Sequence, residues 1–353
     1  MVKPLEQLTP EVVPEALAPL LACSGFGRAR RVVRLSGGGN NRVYRVETDA
    51  YPALLKVYFR HPADPRDRLG TEFAFSRFAW NNGVRCLPQP HAADRERGLG
   101  LYEFVAGRRL VPEDVDAGVV DQALAFYLEL NKHRDRTEAR QLAAASEACF
   151  SLGEHLACVE RRVRRLMSWV PATVLDRQAA DFVRAKLAPY WADLRARIED
   201  RARCTGIVLD EPLPAAARRL SPSDFGFHNA LREPDGRLRF LDFEYAGWDD
   251  PAKLACDFFC QPALPVTADL WEAFLDQITA DLPTPDIHRL RMNWLLPIYR
   301  VKWVTIRLND FLIVDGERRR FARQGQASEG HRADQLAKAR RALEQLTRDV
   351  KED

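Results

Sequence analysis

LSPSDFGFHNAL, residues 220–231, offers two incompatible readings of one aspartate. Asp224-Phe225-Gly226 has the letters of a metal-binding triplet. Asp224 and Asn229 stand five positions apart, the D-x-x-x-x-N spacing of a proton-accepting carboxylate followed by a metal-binding amide. A second carboxylate downstream decides between them. Asp242 stands in FLDFEY, directly after an apolar β run. The order carboxylate, amide, strand, carboxylate is what phosphoryl transfer requires. One carboxylate accepts or orients the proton of an attacking hydroxyl, while an amide oxygen and a second carboxylate hold a divalent cation on the phosphates. Asp224 is therefore read as the base, Asn229 and Asp242 as Mg2+ ligands, and the triplet at 224–226 as a coincidence of letters. An aspartate of this kind taken singly is a cap or turn residue; the ordered set carries the reading.

Upstream, the remaining parts fall in the matching order. YPALLKVYF alternates Leu55, Val57 and Phe59 with Leu54, Lys56 and Tyr58, the period-two pattern of a strand with two distinct faces. Lys56 thus points away from the Leu55/Val57 face. Alone it reads as an edge residue facing water; in a cleft it binds phosphate and needs an acid to hold it. Glu72 supplies that acid sixteen residues on, in a helix expected over 66–81, where it shares a face with Ser76 and Ala79 and leaves Phe73 and Trp80 for the core. Ser36-Gly37-Gly38-Gly39-Asn40-Asn41 makes a hairpin turn whose glycines let backbone amides approach a polyphosphate, although Arg42 stands where a third spaced glycine would complete the loop.

Around these motifs the chain divides by pattern. Residues 1–30 read as a helical extension beginning near Thr9, 31–106 as a small antiparallel β lobe with one helix, and 107–353 as a mainly helical lobe. Helical periodicity runs through 114–132, 138–168, 176–204, 250–261, 267–281, 285–313 and 331–350, and PDG at 234–236 turns a hairpin. The segment GERRRFARQGQASEG reads as a polar connector. The 353 residues carry 53 basic and 50 acidic side chains, a formal charge of +3 that gives little long-range attraction for a nucleic-acid backbone. Seven cysteines without CxxC spacing read as reduced thiols of a cytoplasmic protein. No run approaches a membrane span, and the acids and prolines before LLACSG argue against a signal peptide there.

With those residues in place, the sequence resembles the aminoglycoside phosphotransferase and choline kinase family over roughly residues 30–310. GGGNNRVYRVET resembles its nucleotide loop, LLKVY its phosphate-binding strand, TEFAF its partner-Glu helix, SPSDFGFHNAL its catalytic loop and FLDFEYAGWDDPAKLACDFF its metal element. LYEFVAGRRL resembles the connector between lobes. The resemblance implies an α+β, protein-kinase-like bilobal fold. It implies ATP and Mg2+ as cofactors and the hydroxyl of a small molecule as acceptor. It places Gly37, Gly38, Gly39, Asn40 and Asn41 on the phosphates, and Lys56 on the α- and β-phosphates with Glu72 orienting it. The backbone of Glu103, Phe104 and Val105 would bind the adenine. Asp224 would be catalytic, and Asn229 and Asp242 metal-binding.

Two departures stand out, beside an acid at a position where the family often has one. Pro222-Ser223 occupies the place of the family's His-Gly. His228 stands where the family often has Gly and is read as space-filling rather than phosphate-binding. Glu244 either joins the metal shell or salt-bridges to the large lobe. The acceptor is left as a sugar-, amino-alcohol- or aminoglycoside-like alcohol, because the aromatic residues Trp294, Tyr299 and Trp303 read as core and no clear acidic cluster marks a cation pocket. Asp250, before Pro251, reads as a helix N-cap. Two competing readings are a nucleotide-binding regulator without turnover, and an enzyme that moves AMP or modifies a protein side chain.

Overall fold

The computed structural model describes residues 13–35, 41–62, 64–312 and 329–352. Helix α1 (Val13–Ser24) packs against an antiparallel five-stranded sheet. Its strands are β1 (Ala29–Leu35), β2 (Arg42–Thr48), β3 (Ala53–Val57), β4 (Pro90–Asp94) and β5 (Leu99–Glu103), in the spatial order β1-β2-β3-β5-β4. Strand alternation sorts the two faces. Leu55 and Val57 join Val46, Leu99 and Leu101 against Leu17, Leu20 and Leu21 of α1, forming the core of this layer. The opposite face carries Lys56 and Tyr102 and is covered by α2 (Arg68–Asn81). The expected start of α1 near Thr9 lies outside the described residues, as do Gly37, Gly38, Gly39, Asn40 and most of the polar connector at 316–330.

Helix α2 begins where the Asp67 carboxylate accepts from Gly70 N, closing one of the free amides of the first turn. Its core residues differ from expectation. Phe75, Phe78 and Ala79 are buried, whereas Phe73 lies half-buried at the Tyr102 ring edge and Trp80 lies under the Arg85 guanidinium. The reason is Glu72. Because Glu72 faces inward to meet Lys56, the residues three, four and seven positions later face inward as well.

The chain leaves β5 at Glu103 and enters a larger layer at β6 (Arg108–Arg109). Helices α3 (Ala117–Asn131) and α4 (Leu152–Ser168) come after it. Next comes a long helical run, α5 (Val174–Phe182) and α6 (Ala188–Thr205), joined by a π-helical turn at Val183–Leu187. The wider turn precedes Pro189, which has no amide to donate and would crowd the carbonyl of an ordinary α-turn. Strands β7 (Arg219–Ser221), β8 (Ala230–Arg232), β9 (Leu238–Phe240) and β10 (Gly247–Asp249) form two small sheets, β6-β8-β9 and β10-β7. Helices α7 (Pro251–Cys260), α8 (Trp271–Thr279), α9 (Pro285–Arg307) and α10 (Glu329–Glu352) complete the lobe.

The helix expected over 138–168 forms only from Leu152. Residues 143–145 instead run alongside β10, with Trp248 N donating to Ala143 O at 3.0 Å and Ala145 N to Trp248 O at 2.9 Å. Tertiary backbone bonds override the helical preference of the alanines there. The two lobes meet through Phe75 on Phe243 and through a buried polar joint between Arg68 and Glu244. Among the described residues no helix is long and apolar enough to cross a membrane.

Candidate active site

Lys56 sits at the centre of the cleft side of β3, paired across the sheet with Gly100. A Cβ at Gly100 would come within 2.7 Å of the Tyr102 ring, so the glycine leaves that ring its place on the cleft face. The Lys56 ammonium donates to Glu72 Oε2 at 2.7 Å, to Glu72 Oε1 at 3.0 Å and to Asp242 Oδ1 at 2.7 Å. Tyr58, two residues along the same strand direction, donates its hydroxyl to Glu72 Oε2 at 2.6 Å and lies 2.8 Å from the Tyr102 hydroxyl. Burial works against the Lys56 charge, but Asp242 and Glu72 outweigh it and hold the ammonium well above its ordinary range. Burial and the Glu72 charge push both tyrosine hydroxyls upward, so they remain neutral donors.

The segment 220–231 separates by side-chain direction. Phe225 packs on Phe240 and Phe258, and Phe227 on Phe258, so both anchor the loop in the core. Asp224, His228 and Asn229 remain partly exposed. Asn229 Nδ2 donates to the Asp224 carbonyl at 2.9 Å, and Leu241 N donates to the Asn229 carbonyl at 2.8 Å, which sets the approach to Asp242. Ser223 and Asp242 take φ of 67° and 68°, left-handed values that cost a side-chain-bearing residue about 1–3 kcal/mol and gather at functional sites. His228 does more than fill space: its Nε2 lies 3.3 Å from Asp224 Oδ1. Burial raises the Asp224 carboxyl, but the His228 hydrogen bond and the His228 and Lys302 charges leave it below its ordinary value. For Asp242, burial and the Glu72 charge outweigh Lys56 and hold it above.

Glu244 resolves differently from both expectations, because it reaches into the small lobe. It accepts from Arg68 Nη1 at 3.1 Å and from Asn41 Nδ2 at 2.7 Å, with its side chain fully buried. Arg68 also bonds the Tyr245 hydroxyl at 2.8 Å and pairs with Asp64. Asn41 Oδ1 accepts from Phe59 N at 3.2 Å, so both ends of the Asn41 side-chain amide are engaged at the rim of the cleft. At the connector, Glu103 N donates to Gln89 O at 2.8 Å and the Glu103 carboxylate binds Arg239 at 2.6 Å. Phe104 lies beneath the Arg45 guanidinium.

Part of this set lines one cleft of about 390 Å3 between the lobes, while Tyr58, Arg68, Asp224 and Glu244 stand behind or beside it. Leu35, Val43, Leu54, Phe104, Val105 and Leu231 make an apolar end; Lys56, Glu72, Asp242, Asn229 and His228 make a polar end. Asp224 adjoins the polar end through His228. Of the sequence-expected residues, Asn41, Lys56, Glu72, Glu103, Phe104, Val105, Asn229 and Asp242 line the cleft. Beyond it, Trp294 and Tyr299 are core residues, and Asp250 caps α7 through Ala252 N. Asp257 is held by Lys302 at 2.7 Å and Trp303 Nε1 at 2.9 Å. The sequence motifs single out neither Arg68 nor Tyr58. Spacing could have found both: Arg68 lies one helical turn before Glu72, and Tyr58 shares a strand face with Lys56.

Known structures share this arrangement of lobes. The spectinomycin phosphotransferase APH(9)-Ia, in complex with ADP and spectinomycin, superposes with a TM-score of 0.64 at 10% identity, over 97% of this chain and 98% of that one. The choline kinase LicA from Streptococcus pneumoniae gives 0.57 at 16% identity, over 95% and 98%. The amicoumacin kinase hAmiN, in complex with AMP-PNP, Ca2+ and Ami, gives 0.57 at 13% identity, over 94% and 93%. At these identities the likeness is one of fold. A search of the curated proteins finds no match. The profile of the phosphotransferase enzyme family matches residues 31–292, most of the chain and all of the cleft between the lobes, and the chain belongs to that family.

Proposed function

We propose that this small-molecule phosphotransferase moves the γ-phosphate of ATP, with Mg2+, onto an alcohol hydroxyl. The observation that carries the reading is the meeting of Lys56, Glu72 and Asp242 at one point, with Asn229 and Asp224 joined to it through the loop after β7. The apolar end of the cleft suits a nucleobase. With Glu103 N–H engaged by Gln89, the backbone of Phe104 and Val105 is left to pair with its edge. Lys56, fixed by Glu72 and still charged far above neutrality, would bind phosphate oxygens.

The donor set fits Mg2+. Asn229 turns its amide nitrogen to the Asp224 carbonyl, which leaves its oxygen as the free end, and the Asp242 carboxylate is 27% exposed with one oxygen on Lys56. A carboxylate and an amide oxygen are hard ligands suited to an ion that takes its remaining ligands from phosphates and water. When bound, Mg2+ would offset the charge on the transferring phosphoryl group. Asp224, ionised at neutral pH, would accept or orient the acceptor's hydroxyl proton. The acceptor is a small alcohol, and a cytoplasmic setting accords with seven free cysteines.

The test is coupled ADP release over a panel of sugars, cyclitols, amino alcohols and aminoglycosides, alongside calorimetric titration of Mg-ATP. Asp242→Ala is expected to abolish transfer, and Asp224→Ala to lower kcat about 10²–10⁴-fold. Near-normal turnover in either variant rejects the role assigned. Mg-ATP binding with no product across the panel would reject phosphotransfer in favour of a nucleotide-binding regulator.

A further inference from the structure

We propose that His228 is a positioning residue that holds the Asp224 carboxylate in its working orientation; the proposal rests on the phosphotransfer reading above. Its Nε2 lies 3.3 Å from Asp224 Oδ1 across one turn of chain. The backbone around it is fixed. Phe227–Asn229 form a single 3-10 turn, and Asn229 Nδ2 ties back to the Asp224 carbonyl at 2.9 Å. Asp224 is thus held twice by the same short loop, at its main chain by Asn229 and at its carboxylate by His228.

The other role open to a cleft-lining histidine is direct contact with a phosphate, and the geometry argues against it. Nε2 already faces Asp224. Nδ1 is buried, turned toward Gly226, where an added Cβ would come within 2.8 Å of it and within 3.1 Å of Gln261 Cγ. As the ring is seated, Nε2 is engaged by Asp224 and Nδ1 is buried. The side chain acts instead through Asp224. With Oδ1 engaged, the second carboxylate oxygen is left for the acceptor hydroxyl. A base misplaced by about 1 Å can cost as much as about 10²-fold in rate, so fixing one carboxylate torsion is worth a sizeable factor. Gly226 and the two anchoring phenylalanines keep the seat open.

Two variants and one spectroscopic measurement test this. His228→Ala removes the contact, whereas His228→Gln retains an N–H donor at about the reach of Nε2. Expected results are a kcat about 10-fold to 100-fold lower for His228→Ala with KM and Kd for ATP within about twofold, and recovery to within about threefold of wild type in His228→Gln. In protein labelled with 15N-histidine, the His228 Nε2 resonance is expected to shift in Asp224→Ala. The proposal is overturned if His228→Ala keeps kcat within twofold, if the glutamine variant recovers nothing, if the loss falls on ATP affinity instead, or if the resonance does not move in Asp224→Ala. The resonance requires no turnover, so an absence of any acceptor would sink the phosphotransfer reading while the spectrum still decided whether His228 holds Asp224.

Discussion

Removing the Lys56 ammonium should turn the most tightly paired point of the cleft into its least stable one. Nζ lies 2.7 Å from a Glu72 oxygen and 2.7 Å from an Asp242 oxygen, with Lys56 and Glu72 side chains only 8% and 5% exposed. The two carboxylate oxygens, each 2.7 Å from the same nitrogen, therefore lie within about 5.4 Å of each other. In Lys56→Met they face each other with no cation between them. At an effective dielectric of about 20, that repulsion is about 3 kcal/mol. Leaving a buried partner unpaired costs about 3–5 kcal/mol in total. Glu72→Gln alone should cost much less, because Lys56 keeps Asp242 and the amide oxygen can still accept from Tyr58. The assay is urea unfolding of wild type, Lys56→Met, Glu72→Gln and the double variant. The double variant should be more stable than Lys56→Met by about 2–3 kcal/mol, since neutralising Glu72 removes the repulsion. If the two single losses simply add, the carboxylates do not confront one another and the cleft is not built in this way.

Other outcomes rest on the same geometry. Glu244→Ala should lower stability by about 2–3 kcal/mol in urea and raise the ATP KM, because it unties Arg68 and Asn41 together while Arg68 keeps Tyr245 and Asp64. Gly226→Ala should reproduce the kcat loss of His228→Ala, since its Cβ falls on the imidazole. Asp250 bears on acid stability. Burial pushes its carboxyl upward, but the Arg291 charge and the His155 hydrogen bond hold it well below the usual carboxylate range. Between the folded and unfolded values the unfolded chain binds more protons. The stabilisation is therefore complete above about pH 4 and declines as pH falls below it. In urea midpoints from about pH 6 to about 2.5, the difference between wild type and Asp250→Asn should be constant above about pH 4 and shrink below. A difference that grows toward acid would contradict the assignment.

Much of the candidate site was legible because its spacing obeys local periodicity. The period of two in ALLKV put Lys56 opposite the Leu55/Val57 face, and D-x-x-x-x-N followed by a strand and a carboxylate marked out the loop that brings Asp224 and Asn229 together. The same logic failed on α2, where Phe73 and Trp80 are large and apolar but Glu72 fixes the inward face. It failed again at 138–151, where alanines that favour helix run beside β10 because Trp248 offers them backbone partners. Glu244 was legible as an acid two positions after Asp242 but not as a joint. Its partners Arg68 and Asn41 lie 176 and 203 residues away, and no local pattern reports such a distance.

The sequence by itself determined the order of the sheet layer and the helical layer, the strand face that carries Lys56, and which polar side chains the cleft has to gather, because these depend on side-chain type and on periods of two and 3.6 residues. The tertiary structure alone decided that Lys56 reaches both Glu72 and Asp242, that Glu244 turns to the small lobe, and that His228 faces Asp224. Those contacts come from packing Phe75, Phe225, Phe227 and Phe243 into the core, which sets the distances between elements remote in the chain. A buried charge finds its partner only once that packing has excluded water.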